Sequence, residues 1–472
     1  MIATLFTSFP LAEAKPEVGI HFQLWQSIVV IIVSGIAAVM GHYALAVFND
    51  GARPFMLDFI QKRTSRAETG MIVFGLSAGF IFGLGAPMAL STGVLNPWLI
   101  FLPVEILGIL APWPWLAGLA GSAWGALCAF GLSGANAVAH ELPVDFISAL
   151  KQMGTPILYL FAMFPVIAVA KQFGKVKGGI TFALVIATMF GSMKLFPKTF
   201  PGSLAMAIGV LILLIFAVHH DLTKKKAETA ALADISEAER KAFDKRKLAE
   251  KDAVNQLFGP NAARLRKNLI WFAILGGAVC VLAASHIFGG GEATSFMIAD
   301  GRYVEAAQID FYRAFGFIPL IATTALASGA YAMAGFTFVY PVGYLIPYWV
   351  GNEWLGLVLA FVAGALIFCI EVFALSAIGN WLQSWPSVRN SADHIRTAIS
   401  ESLQVAILVG SIMAALAMGG GAGIFIVGGL YLLNEALDRP VVRMAAGPTA
   451  VIIGGILLNL LYLVGLFTPV GA

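Results

Sequence analysis

Hydroxyl groups interrupt one of the most apolar parts of the sequence, residues 320–341, which read LIATTALASGAYAMAGFTFVYP. A hydroxyl oxygen can coordinate a cation, and a hydroxyl hydrogen can be donated to an anion. Glycine permits a helix to break, and Gly329 stands in the middle of this stretch. A helix that only anchored the chain would need none of these groups. We therefore predict that the stretch binds a solute or ion through Thr323, Thr324, Ser328 and Tyr331.

A second stretch of similar chemistry lies in the first half of the chain. Residues 87–103, PMALSTGVLNPWLIFLP, predict further binding residues at Ser91, Thr92 and Asn96. Serine and threonine in membrane helices often bond their own backbone, and small residues often serve close helix packing, so that alternative holds for any single residue. We predict that a helix breaks in each of the two stretches. For these two breaks together we favour a binding site, because broken helices leave backbone groups free to hold a solute or ion.

Two carboxyl groups lie inside apolar segments. Glu105 follows the break in the first half, within FLPVEILGIL, and Glu371 lies deeper in its segment, within FCIEVFALSAIGN. A carboxyl group in a membrane is costly and is retained mainly for function or for a paired role. Each glutamate is therefore a candidate for binding a proton or cation during transport, and the alternative is a static hydrogen bond made while protonated.

Motifs for metal binding or catalysis are missing from the sequence. The three cysteines lie in apolar segments without CxxC spacing, and His219, His220 and Asp221 at the end of one segment indicate an interfacial polar cap. No HExxH, GxSxG or GxxxxGK[ST] motif occurs, which argues against hydrolases of these types and against ATP-driven pumping. We expect no enzyme activity, no metal and no cofactor, with Na⁺ or H⁺ as candidate coupling ions.

The composition requires a membrane to position these residues. Of 472 residues, 59% are hydrophobic and 12% are charged, and the mean hydropathy is +0.86. Windows of about 20 apolar residues match the ~30 Å of hydrocarbon in a bilayer. We place apolar segments at 23–48, 68–92, 94–112, 113–139, 155–172, 178–195, 202–219, 268–288, 313–330, 331–349, 353–379, 402–418, 420–437 and 448–467.

An internal repeat relates the two halves. PMALSTGVLNPWLIFLPV (87–104) and WLAGLAGSAWGAL (115–127) resemble TTALASGAYAMAGFTFVYPV (323–342) and WLGLVLAFVAGAL (354–366), in the same order. The two copies are seven segments apart. Because seven is an odd number of membrane crossings, the second copy must enter the membrane from the opposite side. We predict an all-α polytopic membrane protein with about 12–14 transmembrane segments, including broken or re-entrant helices, in an inverted-topology repeat of 7 + 7.

The positions of lysine and arginine predict the orientation and the domain boundaries. Loops rich in lysine and arginine usually lie on the cytoplasmic side of a membrane. Most such loops of this chain are cytoplasmic if the N-terminus is outside, so both termini are predicted to be extracytoplasmic. The predicted parts are an extracytoplasmic arm (1–22), a first transmembrane repeat (23–220), a charged cytoplasmic linker (221–267) and a second transmembrane repeat (268–472).

Several long runs resemble the YhfT family of bacterial inner-membrane proteins, which are described as candidate transport proteins. The runs are AVFNDGARP (46–54), TGVLNPWLIFLP (92–103), GFIPLIATTALASGAYAMAGFTFVY (316–340), WPSVRNSADHIRTAI (385–399) and LNEALDRPVVRMAA (433–446). The resemblance implies an inner-membrane location and a transport role. It supplies no substrate and no catalytic residues.

These observations favour a secondary active transporter of a small polar or anionic metabolite, with alternating access between the two repeats. The expected partners are the small-molecule substrate, the lipid bilayer and a second copy in a homodimer, with no nucleic acid. Rocking and elevator motions both fit inverted repeats. The alternatives are an integral-membrane sensor or scaffold that recruits a partner through the linker, and an enzyme that acts on a lipid-linked substrate.

Overall fold

The computed structural model describes residues 22–196, 199–233 and 236–469. The predicted N-terminal arm therefore lies almost wholly outside the described residues. Within them, ten helices are long and apolar enough to cross a membrane, or eleven if a pair that bends by 66° between Lys267 and Leu269 forms one span. This is the pattern of a multi-pass membrane protein. The expectation of 12–14 segments stays a prediction.

The first half of the chain contains twelve helices among the described residues. Between α3 and α4 the helix continues through a π-helical turn, Ile81–Gly85, so that these two form one span. The bounds are α1 Leu24–His42, α2 Arg53–Ile60, α3 Arg66–Phe80, α4 Ala86–Thr92, α5 Pro97–Leu110, α6 Pro114–Ala126, α7 Leu132–His140, α8 Phe146–Leu150, α9 Gly154–Phe161, α10 Phe164–Phe173, α11 Lys175–Leu195 and α12 Pro201–Ala233.

Near its end the second half has a kink between the segments predicted at 402–418 and 420–437. Gly419 and Gly420 leave the helical conformation there, and Gly420 adopts φ 54° and ψ −130°, a conformation open mainly to glycine. The bounds are α13 Glu237–Lys267, α14 Leu269–Ala284, α15 Glu292–Ala299, α16 Tyr303–Ser328, α17 Val339–Trp349, α18 Glu353–Ser384, α19 Pro386–Ala436 and α20 Arg443–Leu463.

Helices pack in a similar pattern in the two halves. In the first half α1 packs against α5 and α6, and α3 packs against α5; in the second half α14 packs against α17 and α18, and α16 packs against α17. Glycine allows the closest of these contacts: a Cβ on Gly108 of α5 would overlap the carbonyl of Ala38, and a Cβ on Gly364 of α18 would overlap that of Gly276.

Two short parallel pairings join the halves at the centre of the molecule. Strand β1, Ala46–Val47, pairs with strand β2, Tyr331–Ala332. A second bridge joins Leu95 to Phe288, with Leu95 donating its N–H to the Ile287 carbonyl at 2.8 Å. These pairings satisfy backbone groups that the chain exposes where its helices stop, which an apolar environment requires.

The charged linker contacts the transmembrane part directly. Helix α12 continues without interruption to Ala233, so the boundary predicted at residue 220 falls within a helix. Near the end of α13, Asn261 Nδ2 donates to the carbonyls of Leu326 (2.7 Å) and Ala327 (3.0 Å). Arg264 Nη1 donates to the Gly329 carbonyl at 3.2 Å. The linker therefore caps the carbonyl end of α16.

Candidate functional site

Breaks between helices from both halves surround a cavity of about 430 Å³. Residues 48–51 after β1 form one wall, Pro97 and Trp98 at the start of α5 form another, and Gly290 and residues 333–340 close it from the second half. The size is that of pockets that hold small molecules. Its polar and charged lining residues are Asn49, Asp50, Arg313, Thr337, Tyr340, Arg396, Thr397 and Ser400.

Glu105 fixes the wall formed by the first break. Its carboxyl group is fully buried and accepts hydrogen bonds from the backbone N–H groups of Phe48 (3.1 Å) and Asn49 (3.0 Å). The Asn49 side chain in turn donates to Ser77 Oγ on α3 at 2.9 Å. Because Asp50 is the next residue, Glu105 and Ser77 determine where the Asp50 carboxyl lies relative to the cavity.

Tyr344 and an ion pair fix the Gly290 wall. Tyr344 Oη accepts from Gly290 N at 2.6 Å and donates to Asp310 Oδ2 at 2.9 Å. Arg313 Nη2 lies 2.6 Å from Asp310 Oδ1 and donates to the Gly290 carbonyl at 2.6 Å. Any side chain on Gly291 would overlap the Arg313 guanidinium. The Gly-Gly sequence is therefore required for this buried pair to reach the backbone.

The start of α5 points its positive end at the cavity. Asn96 Oδ1 accepts from Leu99 N at 3.0 Å, and its Nδ2 group donates to the Gly85 carbonyl at 2.8 Å. Pro97 and Trp98, the first residues of the helix, line the cavity. The unpaired N–H groups and the dipole at a helix start favour negative charge nearby.

Three side chains of the wall keep polar atoms without partners. Asp50 Oδ1, Tyr340 Oη, and Nε and Nη2 of Arg396 are buried and make no hydrogen bond within the described part of the chain. Arg396 uses only Nη1, which donates to Asp393 Oδ1 at 3.0 Å. Buried polar groups are nearly always satisfied in proteins, so these atoms are available to hydrogen-bond a molecule in the cavity.

None of the nine residues predicted from the sequence lines the cavity. Four of their hydroxyls bond their own helix: Ser91 and Thr92 donate to the Met88 carbonyl, Thr323 to that of Pro319 and Ser328 to that of Thr324. The Thr324 hydroxyl lies next to the Asp50 carboxyl without hydrogen-bonding geometry. Asn96 caps α5, Glu105 holds the first break, and Tyr331 donates its hydroxyl to Glu371 Oε2.

The sequence analysis did not select Asp50, Arg313 or Arg396. Each lies near the end of an apolar segment predicted from the sequence. Arg396 lies about two turns after Arg389 on α19, and α19 is placed by its packing against other helices, including α16. That contact joins distant parts of the chain and has no local pattern.

The predicted polar cap at the end of the first half connects two helices. Asp221 on α12 accepts from the backbone N–H and the hydroxyl of Ser387 at the start of α19, the latter at 2.6 Å. His220 Nδ1 lies 3.0 Å from the same hydroxyl oxygen. In the described ranges, no group of three or more His, Cys, Asp or Glu side chains could hold a metal ion.

Comparisons with known proteins identify relatives over nearly the whole chain. Residues 26–467 match the family model described as "YhfT: Protein of unknown function". The chain is 40% identical over 456 residues to "Uncharacterized protein YhfT" from Escherichia coli (strain K12), which covers 94% of this chain and 99% of the relative. No solved structure matches the chain.

Proposed function

The chain belongs to the YhfT family, and from its central cavity we propose that it is a secondary transporter of a small polar or anionic metabolite. The observation that carries the proposal is that chain breaks from both halves line one cavity, at which Asp50 Oδ1 and two guanidinium nitrogens of Arg396 are buried and make no hydrogen bond among the described residues. Broken helices around a central site are the recurring plan of secondary transporters. A structural scaffold would not need such a cavity.

We propose that the two halves are inverted repeats, and the two central pairings support this. Gly93 and Gly329 both end a helix in the left-handed conformation, with φ 72° and 67°, and 329 − 93 gives an offset of 236 residues. The same offset relates Leu95 to Tyr331. The pairing of Leu95 with Phe288 then corresponds to that of Tyr331 with Ala46, with the roles of the halves exchanged.

The supports of the two breaks also correspond. In the first half, Glu105 on α5 accepts from Phe48 N. In the second half, Tyr344 on α17 accepts from Gly290 N. Each half therefore uses a buried side chain of its short helix after the break to hold the cavity wall. Such matched halves can exchange roles, so that the site between them opens first to one side of the membrane and then to the other.

The proposed orientation has the linker in the cytoplasm and both termini outside, in the inner membrane of a bacterium. The contacts of the linker support it, because Arg264 donates to the carbonyls of Tyr43 and Gly329. Both residues lie at ends of segments that the basic loops assign to the inner side. We further propose a homodimer and coupling to Na⁺ or H⁺, for which Glu371 is the candidate ion-binding residue.

Access to the cavity from both sides of the membrane tests the transport function without a known substrate. In a variant lacking Cys128, Cys280 and Cys369, Ser400→Cys places a nearly isosteric thiol at the cavity. An impermeant thiol reagent should modify it in right-side-out and in inside-out vesicles, because a transporter visits both open states. Modification from one side alone, or from neither, would contradict the proposal.

Ser411→Cys is the matched control for this experiment. Ser411 lies on the same helix, is 1% exposed and does not line the cavity. Its hydroxyl donates to the Ile407 carbonyl within the helix. A thiol there should stay unmodified in both kinds of vesicle. Reaction at Ser411→Cys would mean that labelling reports general loosening of the helices instead of an open cavity.

A further inference from the structure

Two opposite charges face the cavity without forming a pair. Arg396 acts electrostatically on the Asp50 carboxyl, yet no N···O distance between them is within 4.0 Å. The Asp50 Oδ1 atom is buried and makes no hydrogen bond among the described residues, and the Thr324 hydroxyl lies beside the same carboxyl. Arg396 leaves Nε and Nη2, one edge of its guanidinium, unpartnered. That edge has the geometry to bind a carboxylate with two parallel hydrogen bonds.

The charged groups at the cavity belong to a network of carboxyl and guanidinium groups. The lining contains Asp50, Arg313 and Arg396. Their direct partners are Asp310, which pairs with Arg313, and Asp393, which pairs with both Arg396 and Arg53. With Arg53 included, this network contains three carboxyls and three guanidiniums, of which Asp50, Arg313 and Arg396 line the cavity. A solute with a net charge would add an uncompensated charge to this enclosed site, which is costly, whereas a solute that carries both charges would not.

The rest of the wall is apolar. Phe48, Phe80, Trp98, Leu102 and Phe317 line the cavity between the charged groups. The volume of about 430 Å³ exceeds what two charged groups alone would fill. A solute that fits must therefore carry an apolar part in addition to its charges.

We propose that the solute is a zwitterion of the amino-acid type with an apolar side chain, whose carboxylate binds Arg396 and whose ammonium group binds Asp50. This inference rests on the transport function proposed above and names its substrate class. Bound in this way, the solute completes the hydrogen bonding of both side chains. Each charge of the solute is matched by one charge of the wall.

Matched sets of compounds test the inference on the full-length purified protein. The first set is phenylalanine, hydrocinnamate and phenethylamine; the second is leucine, isocaproate and isoamylamine. Within each set the second compound lacks the ammonium group and the third lacks the carboxylate. We expect the amino acids to raise the unfolding temperature, and the incomplete analogues to bind at least about tenfold more weakly, because each leaves a buried charge unpaired.

Two variants assign each charge to its residue. Asp50→Asn should remove the preference for phenylalanine over hydrocinnamate, and Arg396→Gln should remove the preference for phenylalanine over phenethylamine. Asp58→Asn and Arg389→Gln are the matched controls, because neither side chain lines the cavity. Both controls should keep the preferences of the unmodified protein. These ratios would not change if the two substitutions only lowered stability.

Three results would overturn the inference. If hydrocinnamate binds as tightly as phenylalanine and Asp50→Asn changes nothing, the solute is an anion, and the proposed transport function stands. If hydrocinnamate binds only with Na⁺ and loses this dependence in Asp50→Asn, Asp50 holds a coupling ion. If no compound of either set binds, the substrate class is wrong; the transport function then depends on the cysteine accessibility at Ser400, which requires no ligand.

Discussion

At the scale of single residues, some side chains hold the cavity wall in place and others line the cavity. Glu105 lies inside a membrane helix, where a carboxyl group suggests ion binding. It is fully buried and holds two backbone N–H groups. Asp50, one residue beyond those groups, faces the cavity instead. The intramembrane carboxyl therefore positions the wall, and the carboxyl nearer the segment end is the candidate ligand.

Removing the Glu105 carboxyl should destabilise the protein. Glu105→Ala leaves the N–H groups of Phe48 and Asn49 without acceptors, at a cost of about 1–3 kcal/mol for each. Glu105→Gln keeps one amide oxygen as acceptor and should cost less. Thermal unfolding of the purified protein measures both, with exposed Glu353→Gln as control. If Glu105→Ala unfolds at the temperature of the unmodified protein, the carboxyl does not hold the break.

At the scale of elements, the linker is part of the transmembrane architecture. Asn261 and Arg264 on α13 bind the carbonyls at the end of α16, where the last turn of a helix lacks internal donors. Arg264 also reaches the Tyr43 carbonyl at 2.9 Å. One helix of the linker thus binds segments from both halves.

Breaking this contact should release the end of α13. In Asn261→Ala combined with Arg264→Ala, four hydrogen bonds to carbonyls of the transmembrane part are lost. Hydrogen exchange of residues 258–267 should become faster, because local opening costs less free energy. Lys241→Ala, which removes only an exposed pair with Glu237, is the control. Unchanged exchange would mean that the helix is held by apolar contacts alone.

Much of the element level could be predicted from the sequence, and the cavity could not. The two aligned stretches share the runs ALSTG (89–93) and ALASG (325–329), and the glycine that ends each run also ends a helix. We predicted a binding site from the hydroxyl groups near these glycines, but the hydroxyls of Thr323 and Ser328 donate hydrogen bonds to carbonyls of their own helix. Arg396 faces the cavity through a contact between distant helices, and no local spacing encodes such a contact.

At the scale of the whole molecule, the proposed orientation has the linker in the cytoplasm and both termini outside. In the cysteine-free background, thiols at Arg63 and Arg389 should be shielded from an impermeant reagent in intact cells. A thiol at exposed Glu353 should react, because its loop is assigned to the outer side. If Arg63→Cys and Arg389→Cys are labelled from outside, the protein has the opposite orientation in the membrane. The same reagent after permeabilisation should modify all three positions.

The central claim is that a solute bound in the cavity crosses the membrane. The most direct measurement is uptake into proteoliposomes, without ATP, of the compound that most stabilises the purified protein. The account predicts saturable uptake down a gradient, a response to an imposed Na⁺ or H⁺ gradient, and loss of uptake in Arg396→Gln but not in Arg389→Gln. Binding without any flux in either direction would contradict it, and would indicate a sensor that recognises the solute at the same cavity.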